Sequence, residues 1–274
     1  MSTLPLVFSV TSGKGGVGKT NIAVNLALCL VAVGKRVLLL DADLGLANVD
    51  VLLGLTPQKN LFHLFHEGIK LSDILFPTPY GFSILPASSG MGEMLRLHTG
   101  QKLELLEAMD ELEDAVDCMI VDTGAGINDN VLYFNLAAQH RLVVLTPEPT
   151  SLTDAYALIK VLKLNHGTEH FKIVVNMASD MRAAKDVFQR LHLACDHFLS
   201  GVSLDFVGSI PRDPAMRKAV VDQRPLCHMA PAGPAAHALL AISKTIQTWD
   251  VPEHLDGNIK FFWKKLLLRN GRQP

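Results

Sequence analysis

Gly13, Lys14, Gly15, Gly16, Val17, Gly18, Lys19 and Thr20 form a stretch that could hold a polyphosphate. The apolar run Leu4 to Val10 precedes it and reads as a buried strand; Asn21 to Val33 follows with apolar residues at helical spacing and stops at Gly34. Strand, glycine-rich turn and helix start together are the setting of a phosphate-binding loop. Glycines let successive backbone N–H groups turn towards one anion, and the helix N-terminus adds the positive end of its dipole. Lys19 then reaches the β- and γ-phosphates, and the Thr20 hydroxyl can bind Mg²⁺.

Three carboxylates stand where such chemistry needs them. Asp122 ends an apolar run within the expected strand Val116 to Val121, where a carboxylate can orient Mg²⁺ directly or through water. A strand-end aspartate can also simply cap the next turn. The small residues Thr123-Gly124-Ala125-Gly126 follow it and could respond to a γ-phosphate. Asp41 and Asp43 end a second apolar run, Val37 to Leu40. One can face the Mg²⁺ shell while the loop carries the other towards an attacking water, or Asp41 can be a solvated strand-end charge. Carboxylates beside a triphosphate are tolerable where Mg²⁺ and lysines neutralise the cluster.

The elements that must position these groups alternate. Strands are expected at Phe82–Leu85, Val116–Val121, Leu142–Leu145, Lys172–Asn176 and Asp205–Ile210, besides the first two. Helices are expected at Met91–Ala115, Asn130–Gln139, Leu152–Leu164 (capped by Thr150 or Ser151), Ala183–Phe198, Pro214–Val221 and Ala235–Thr248. Leu44 to Leu55 reads as a loop with a short helix, and Leu61 to Phe76 has mixed helical spacing closed by Pro77 and Pro79. Short Val/Leu/Ile-rich strands between longer helices give an α/β fold: a doubly wound, mostly parallel sheet flanked by helices. Residues 1–250 form this domain and 251–274 a tail.

With 49% hydrophobic and 19% charged residues, the 274-residue chain can bury a sizeable core, and its composition gives no case for general disorder. A formal charge of −2 gives no global basic field, so direct nucleic-acid binding is not expected. The 4 cysteines, Cys29, Cys118, Cys195 and Cys227, stand far apart, which argues against a disulfide framework or a zinc centre and suits a reducing cytoplasm. The 11 histidines show no familiar ligand spacing; His63/His66 and His192/His197 read as surface or core residues. There is no signal-type segment and no bilayer-spanning run.

Lys14, directly after the first loop glycine, is not needed for an ordinary phosphate loop. Here the sequence resembles the deviant Walker A ATPases, the P-loop family of MinD, ParA and the nitrogenase iron protein. The resemblance implies that Lys14 crosses a dimer interface to the partner's nucleotide, and that Lys14, Lys19 and Asp43 are catalytic, with Asp43 placing the water. It implies Thr20, Asp41 and Asp122 at Mg²⁺. It also implies ATP bound by residues 13–20 with Asn21, Asn176, Pro211 and Asp213; the amide of Asn176 offers a donor and an acceptor to a purine, and the residues alone do not exclude guanine.

Asp41 to Gly54, Pro149 to Lys160 and Val175-Asn176-Met177-Ala178 are similar to the FlhG/FleN branch, MinD-like regulators of flagellar number and placement. The similarity runs from about Leu6 to at least Trp249. It implies slow, regulatory ATP hydrolysis, an ATP-bound homodimer, and contact with a FleQ-type activator, an FlhF-type GTPase or switch-complex proteins. Many members carry an N-terminal extension that stimulates the GTPase, and only a few residues precede the first strand here. A metabolic P-loop enzyme of the same fold, acting on a small molecule, is the alternative.

In the tail, Ile259, Phe262, Trp263, Leu266 and Leu267 fall on one helical face, with Lys260, Lys264, Lys265 and Arg269 opposite. That composition suits a helix lying on the cytoplasmic face of the inner membrane, or one docked on its own domain. The expected location is cytoplasmic and peripheral at that membrane.

Overall fold

The computed structural model describes residues 5–43, 48–60, 63, 69–86, 112 and 115–251. The expected helix over Met91–Ala115 falls almost wholly outside these residues, and the tail helix lies outside them entirely.

Uninterrupted apolar runs became buried central strands, as a sheet covered on both faces requires. The strands are β1 (Leu6–Ser12), β2 (Val37–Ala42), β3 (Phe76–Pro77), β4 (Ser83–Pro86), β5 (Cys118–Ala125), β6 (His140–Leu145), β7 (His170–Ala178) and β8 (Ser203–Pro211). Among the described residues they form one sheet in the order β3-β4-β2-β5-β1-β6-β7-β8. All pairs are parallel except β3 with β4. The central strand is thus β1, and the loop at its carboxyl end sits where ligands bind in open α/β sheets.

The helices are α1 (Lys19–Ala32), α2 (Val49–Leu53), α3 (Asp129–Ala137), α4 (Pro149–His166), α5 (Met181–Phe198), α6 (Pro214–Val221), α7 (Leu226–Met229) and α8 (Pro234–Ile246). On one face of the sheet, α1 and α8 pack with Phe8, Val10, Leu39 and Ile120 in a core closed by Trp249, whose ring meets Phe8 edge-on at 5.5 Å. On the other face, α3, α4 and α5 cover β6 and β7 through Leu158, Ile159, Phe171 and Leu191. α1 is buried nearly all round, consistent with its apolar composition.

Several boundaries moved for physical reasons. β5 runs on through Asp122, Thr123 and Gly124, because strand pairing continues past the apolar run. α4 starts at Pro149, with Glu148 rather than Thr150 or Ser151 at its cap; the Ser151 hydroxyl instead accepts the Thr146 N–H at 3.0 Å. Within Leu61 to Phe76 the described part holds a 3₁₀ turn at Leu71–Asp73, and Phe76–Pro77 is an edge strand. Both β3 and the four-residue α7 are too short for periodicity to reveal.

A buried polar link joins α3 to β1. The Ser9 hydroxyl donates to Asn135 Oδ1 at 2.8 Å, and Asn135 Nδ2 donates to Thr11 Oγ1 at 2.9 Å and to the Val131 carbonyl at 2.7 Å. All three side chains are fully buried. Arg141 closes the other end of α3, donating to the carbonyls of Asn135, Ala138 and Gln139. The helix that follows the Gly124–Gly126 segment is therefore fixed to the strand that carries the phosphate loop. Asn135→Ala leaves Ser9 and Thr11 without this partner and is expected to lower unfolding stability by about 2 kcal/mol. Urea unfolding of the nucleotide-free protein measures it, and an unchanged midpoint would show that the link is not structural.

Candidate nucleotide site

The loop between β1 and α1 is shaped by backbone geometry that its glycines supply. Gly16 and Gly18 have φ of 77° and 93°, left-handed values that other residues adopt at a cost, and Gly18 is the residue that opens α1. Gly13 is needed for space: a Cβ there would lie 2.0 Å from the carbonyl oxygen of Asp154 in α4. Val17 is buried. The loop is thus wedged between the sheet and α4.

Lys19 is 8% exposed. Burial lowers its pKa, and the carboxylates of Asp122 and Asp43 oppose that shift. Asp122 is 1% exposed, and among the described residues neither carboxylate oxygen has a hydrogen bond of good geometry. Burial pushes its pKa up to about 7; the nearby Thr20 hydroxyl and Lys19 draw it down, while Asp41 and Asp43 push it further up. A buried, unsatisfied carboxylate beside a hydroxyl and a lysine fits a bound cation, so the donor set suits Mg²⁺.

Asp41 sits opposite Asp122 in the β2–β5 register. Its Oδ1 accepts the Asp43 N–H at 3.2 Å, and its Oδ2 accepts those of Asn48 and Val49 at 3.1 and 3.2 Å. Burial still raises its pKa to about 6. Asp41 thus bonds both Asp43 and the start of α2. Asp43 lines the cavity, with Oδ1 3.3 Å from where a side chain on Gly124 would begin.

A cavity of about 770 Å³ opens over the loop, lined by Gly15, Gly16, Gly18, Lys19, Thr20, Asn21 and Asp43 on the phosphate side. Asn176, Met177, Pro211, Arg212 and Asp213 line the far side, so the expected phosphate and base residues face one space. Their amide and carboxylate groups are partly engaged. Asn176 Nδ2 donates to the Val17 carbonyl at 2.7 Å and Oδ1 accepts the Met177 N–H at 2.9 Å, which braces the loop. Asp213 caps α6 by accepting the Ala215 N–H at 2.9 Å.

Sequence reasoning did not foresee the wall formed by Met216, Arg217 and Val220 of α6 with Gln223. Nor did it foresee Met177 at φ 58°, a strained conformation beside the cavity. Lys14 is absent from the lining. Its Nζ pairs with the Glu148 carboxylate and donates to Thr150 Oγ1 at 2.7 Å, both at the start of α4.

Phosphate loop, magnesium-type carboxylate and doubly wound sheet define a P-loop NTPase. Residues 6–175 match the family described as an AAA domain. The solved MinD cell-division ATPase of Pyrococcus furiosus superposes with a TM-score of 0.71 at 26% identity, covering 89% of this chain and 99% of that one. A Pyrococcus horikoshii MinD complexed with Mg-ADP also gives 0.71, at 24% identity over 89% of this chain and 97% of its own.

In sequence the chain is 46% identical to the antiactivator FleN of Pseudomonas aeruginosa over 95% of its own length and 93% of that protein. It is 32% identical to the flagellum site-determining protein YlxH of Helicobacter pylori, covering 94% of this chain and 88% of that one. The chain belongs to the FlhG/FleN family of MinD/ParA-type ATPases.

Raised from the usual 3.8 to about 7, Asp122 carries its ionised form at a cost of about 1.4 kcal/mol per unit. The folded protein holds this proton more tightly than the unfolded chain, so the contribution is most favourable below the unfolded pKa and is lost as pH rises through the folded one. Asp122→Asn removes the charge. At about pH 8 the nucleotide-free variant is therefore expected to melt above wild type, by the equivalent of a few kcal/mol; the gap should narrow as pH falls below about 7 and close only near pH 4. Mg²⁺-dependent nucleotide affinity should fall at the same time. Thermal melts with and without Mg-ADP test both; a variant less stable at about pH 8 would show that the carboxylate is not an electrostatic burden.

Proposed function

We propose that this chain is a switch ATPase that dimerises with ATP bound, separates after hydrolysis, and through that cycle regulates flagellar number or placement. The observation that carries the dimer is Lys14, which sits in the phosphate loop yet is held outside its own cavity by Glu148 and Thr150. Glu148 is 61% exposed and Lys14 32%, so the pair is a screened surface contact that a docking partner can replace. In the partner's cavity the ammonium would add positive charge beside the transferring phosphoryl group.

Within one subunit, loop N–H groups and Lys19 would hold the β- and γ-phosphates, while Thr20 and Asp122, with Asp41 beside them, would hold the metal. Mg²⁺ supplies neutralisation of phosphate charge. Asp43 would orient the attacking water, and Asp41 holds the backbone of Asp43 and the start of α2. Positioning and charge neutralisation do this chemistry, so a subunit alone hydrolyses slowly until Lys14 of a second copy completes the cavity.

The flagellar assignment rests on the similarity to FleN and to the site-determining YlxH. A FleQ-type activator, an FlhF-type GTPase or switch-complex proteins are the partners it suggests; a solved relative, MinD of Aquifex aeolicus, is in complex with MinC. No helix among the described residues is long and apolar enough to cross a membrane. The apolar and basic residues of 259–269, at helical spacing in the sequence, support peripheral attachment at the cytoplasmic face of the inner membrane, which would be strengthened when a dimer presents two such tails. A metabolic role is less well supported by the similarity to FleN and YlxH; the cavity lining itself mixes apolar Val51, Leu52, Met216 and Val220 with Arg212, Asp213, Arg217 and Gln223.

Light scattering of Asp43→Ala, which should bind ATP without turning it over, tests the switch. A dimer with Mg-ATP and a monomer with Mg-ADP are expected, and adding Lys14→Gln should abolish the dimer. A monomer in both states with ATP demonstrably bound would overturn the cross-subunit role of Lys14.

A further inference from the structure

Cys29 and Cys227 stand 198 positions apart in the sequence, yet their Sγ atoms lie 3.6 Å from each other. Cys29, in α1, is 5% exposed; Cys227, in α7, is half-buried and open to solvent. The contact is anchored beside the sulfurs. The Cys227 N–H donates to Asn25 Oδ1 at 2.8 Å, and Asn25 Nδ2 donates to the Asn21 carbonyl at 2.7 Å. The short helix α7 therefore already rests on the helix that carries Lys19 and Thr20.

The other two thiols have no such neighbour and are deeply buried. Burial pushes Cys118 up to about 12 and Cys195 up to about 11, which keeps both protonated and unreactive. In the pair, the hydrogen bond from its neighbour lowers the pKa of Cys29 and raises that of Cys227, so one thiolate is stabilised where a second sulfur is in reach.

We propose that Cys29 and Cys227 are a dithiol oxidised by hydroperoxides, whose disulfide fastens the α6–α7 side of the nucleotide cavity to α1. α7 follows α6 and Gln223, which line that cavity, so a covalent tie at Cys227 restrains the wall that a leaving nucleotide must pass. One thiolate attacks hydrogen peroxide: an S–O bond forms, the O–O bond breaks, and the departing hydroxide takes up a proton to become water. The second sulfur displaces the sulfenic hydroxyl: the S–S bond forms, the S–O bond breaks, and a second water leaves with the remaining proton. Two thiols lose two electrons in all, and one peroxide becomes two waters. The sulfurs must close from 3.6 Å to about 2 Å, which rotation at Cβ and a small shift of α7 supply.

The full chain, loaded with a fluorescent ADP, is treated with hydrogen peroxide, unfolded and alkylated. The expected product has lost the mass of two hydrogens, with Cys29 and Cys227 linked and Cys118 and Cys195 alkylated. ADP release from it should be several-fold slower, restored by dithiothreitol, and insensitive to peroxide in Cys227→Ser. Cys227→Ala, which keeps the backbone bond to Asn25, makes the same comparison if the serine variant folds poorly. Oxygen added to Cys227 while Cys29 remains alkylated would overturn the disulfide. A disulfide that leaves ADP release unchanged would overturn its link to the cavity.

Discussion

The site depends on keeping one buried lysine and three carboxylates together at the carboxyl ends of adjacent strands. Lys19 and Asp122 lie almost entirely out of water, and without a ligand Asp122 is incompletely balanced. Such a cluster is costly to fold and becomes favourable when a metal and a polyphosphate complete it. The surrounding architecture accommodates that cost. Asp41 has backbone N–H groups to accept from, Asp43 stands near Gly124, and the sheet register sets Asp41 level with Asp122.

Much of this was legible in the chain because it follows from residue type. Glycines at 16 and 18 announce backbone angles that favour glycine, and a lysine-threonine pair at a helix start announces an anion. Apolar runs located the strands, but not where they ended: polar residues at the end of β5 still pair, and nothing in their hydropathy says so. The role of Asp41 was ambiguous for a related reason. A carboxylate at a strand end can hold a metal or hold a loop, and only the position of the Asn48 and Val49 N–H groups reveals its bonds to the loop.

What the sequence hid was contact across long separations. Gly13 reads as one more loop glycine until the Asp154 carbonyl is found against it. Asn135 reads as a helical polar residue until it meets Ser9 and Thr11. The cysteines read as scattered, and two of them touch. Each pairing depends on how α3, α4 or α7 packs on the central strands, information that no local pattern carries.

The edge strand β3 has a consequence of a different kind. It is two residues long, runs against its neighbour, and ends in Pro77, which has no N–H to offer. A long regular margin invites a foreign chain to extend the sheet by backbone pairing, an attachment indifferent to nucleotide and hard to undo. A margin this short gives little template for that. A chain docking along β3 itself would gain backbone pairing from two residues at most, so contact there would depend on side chains.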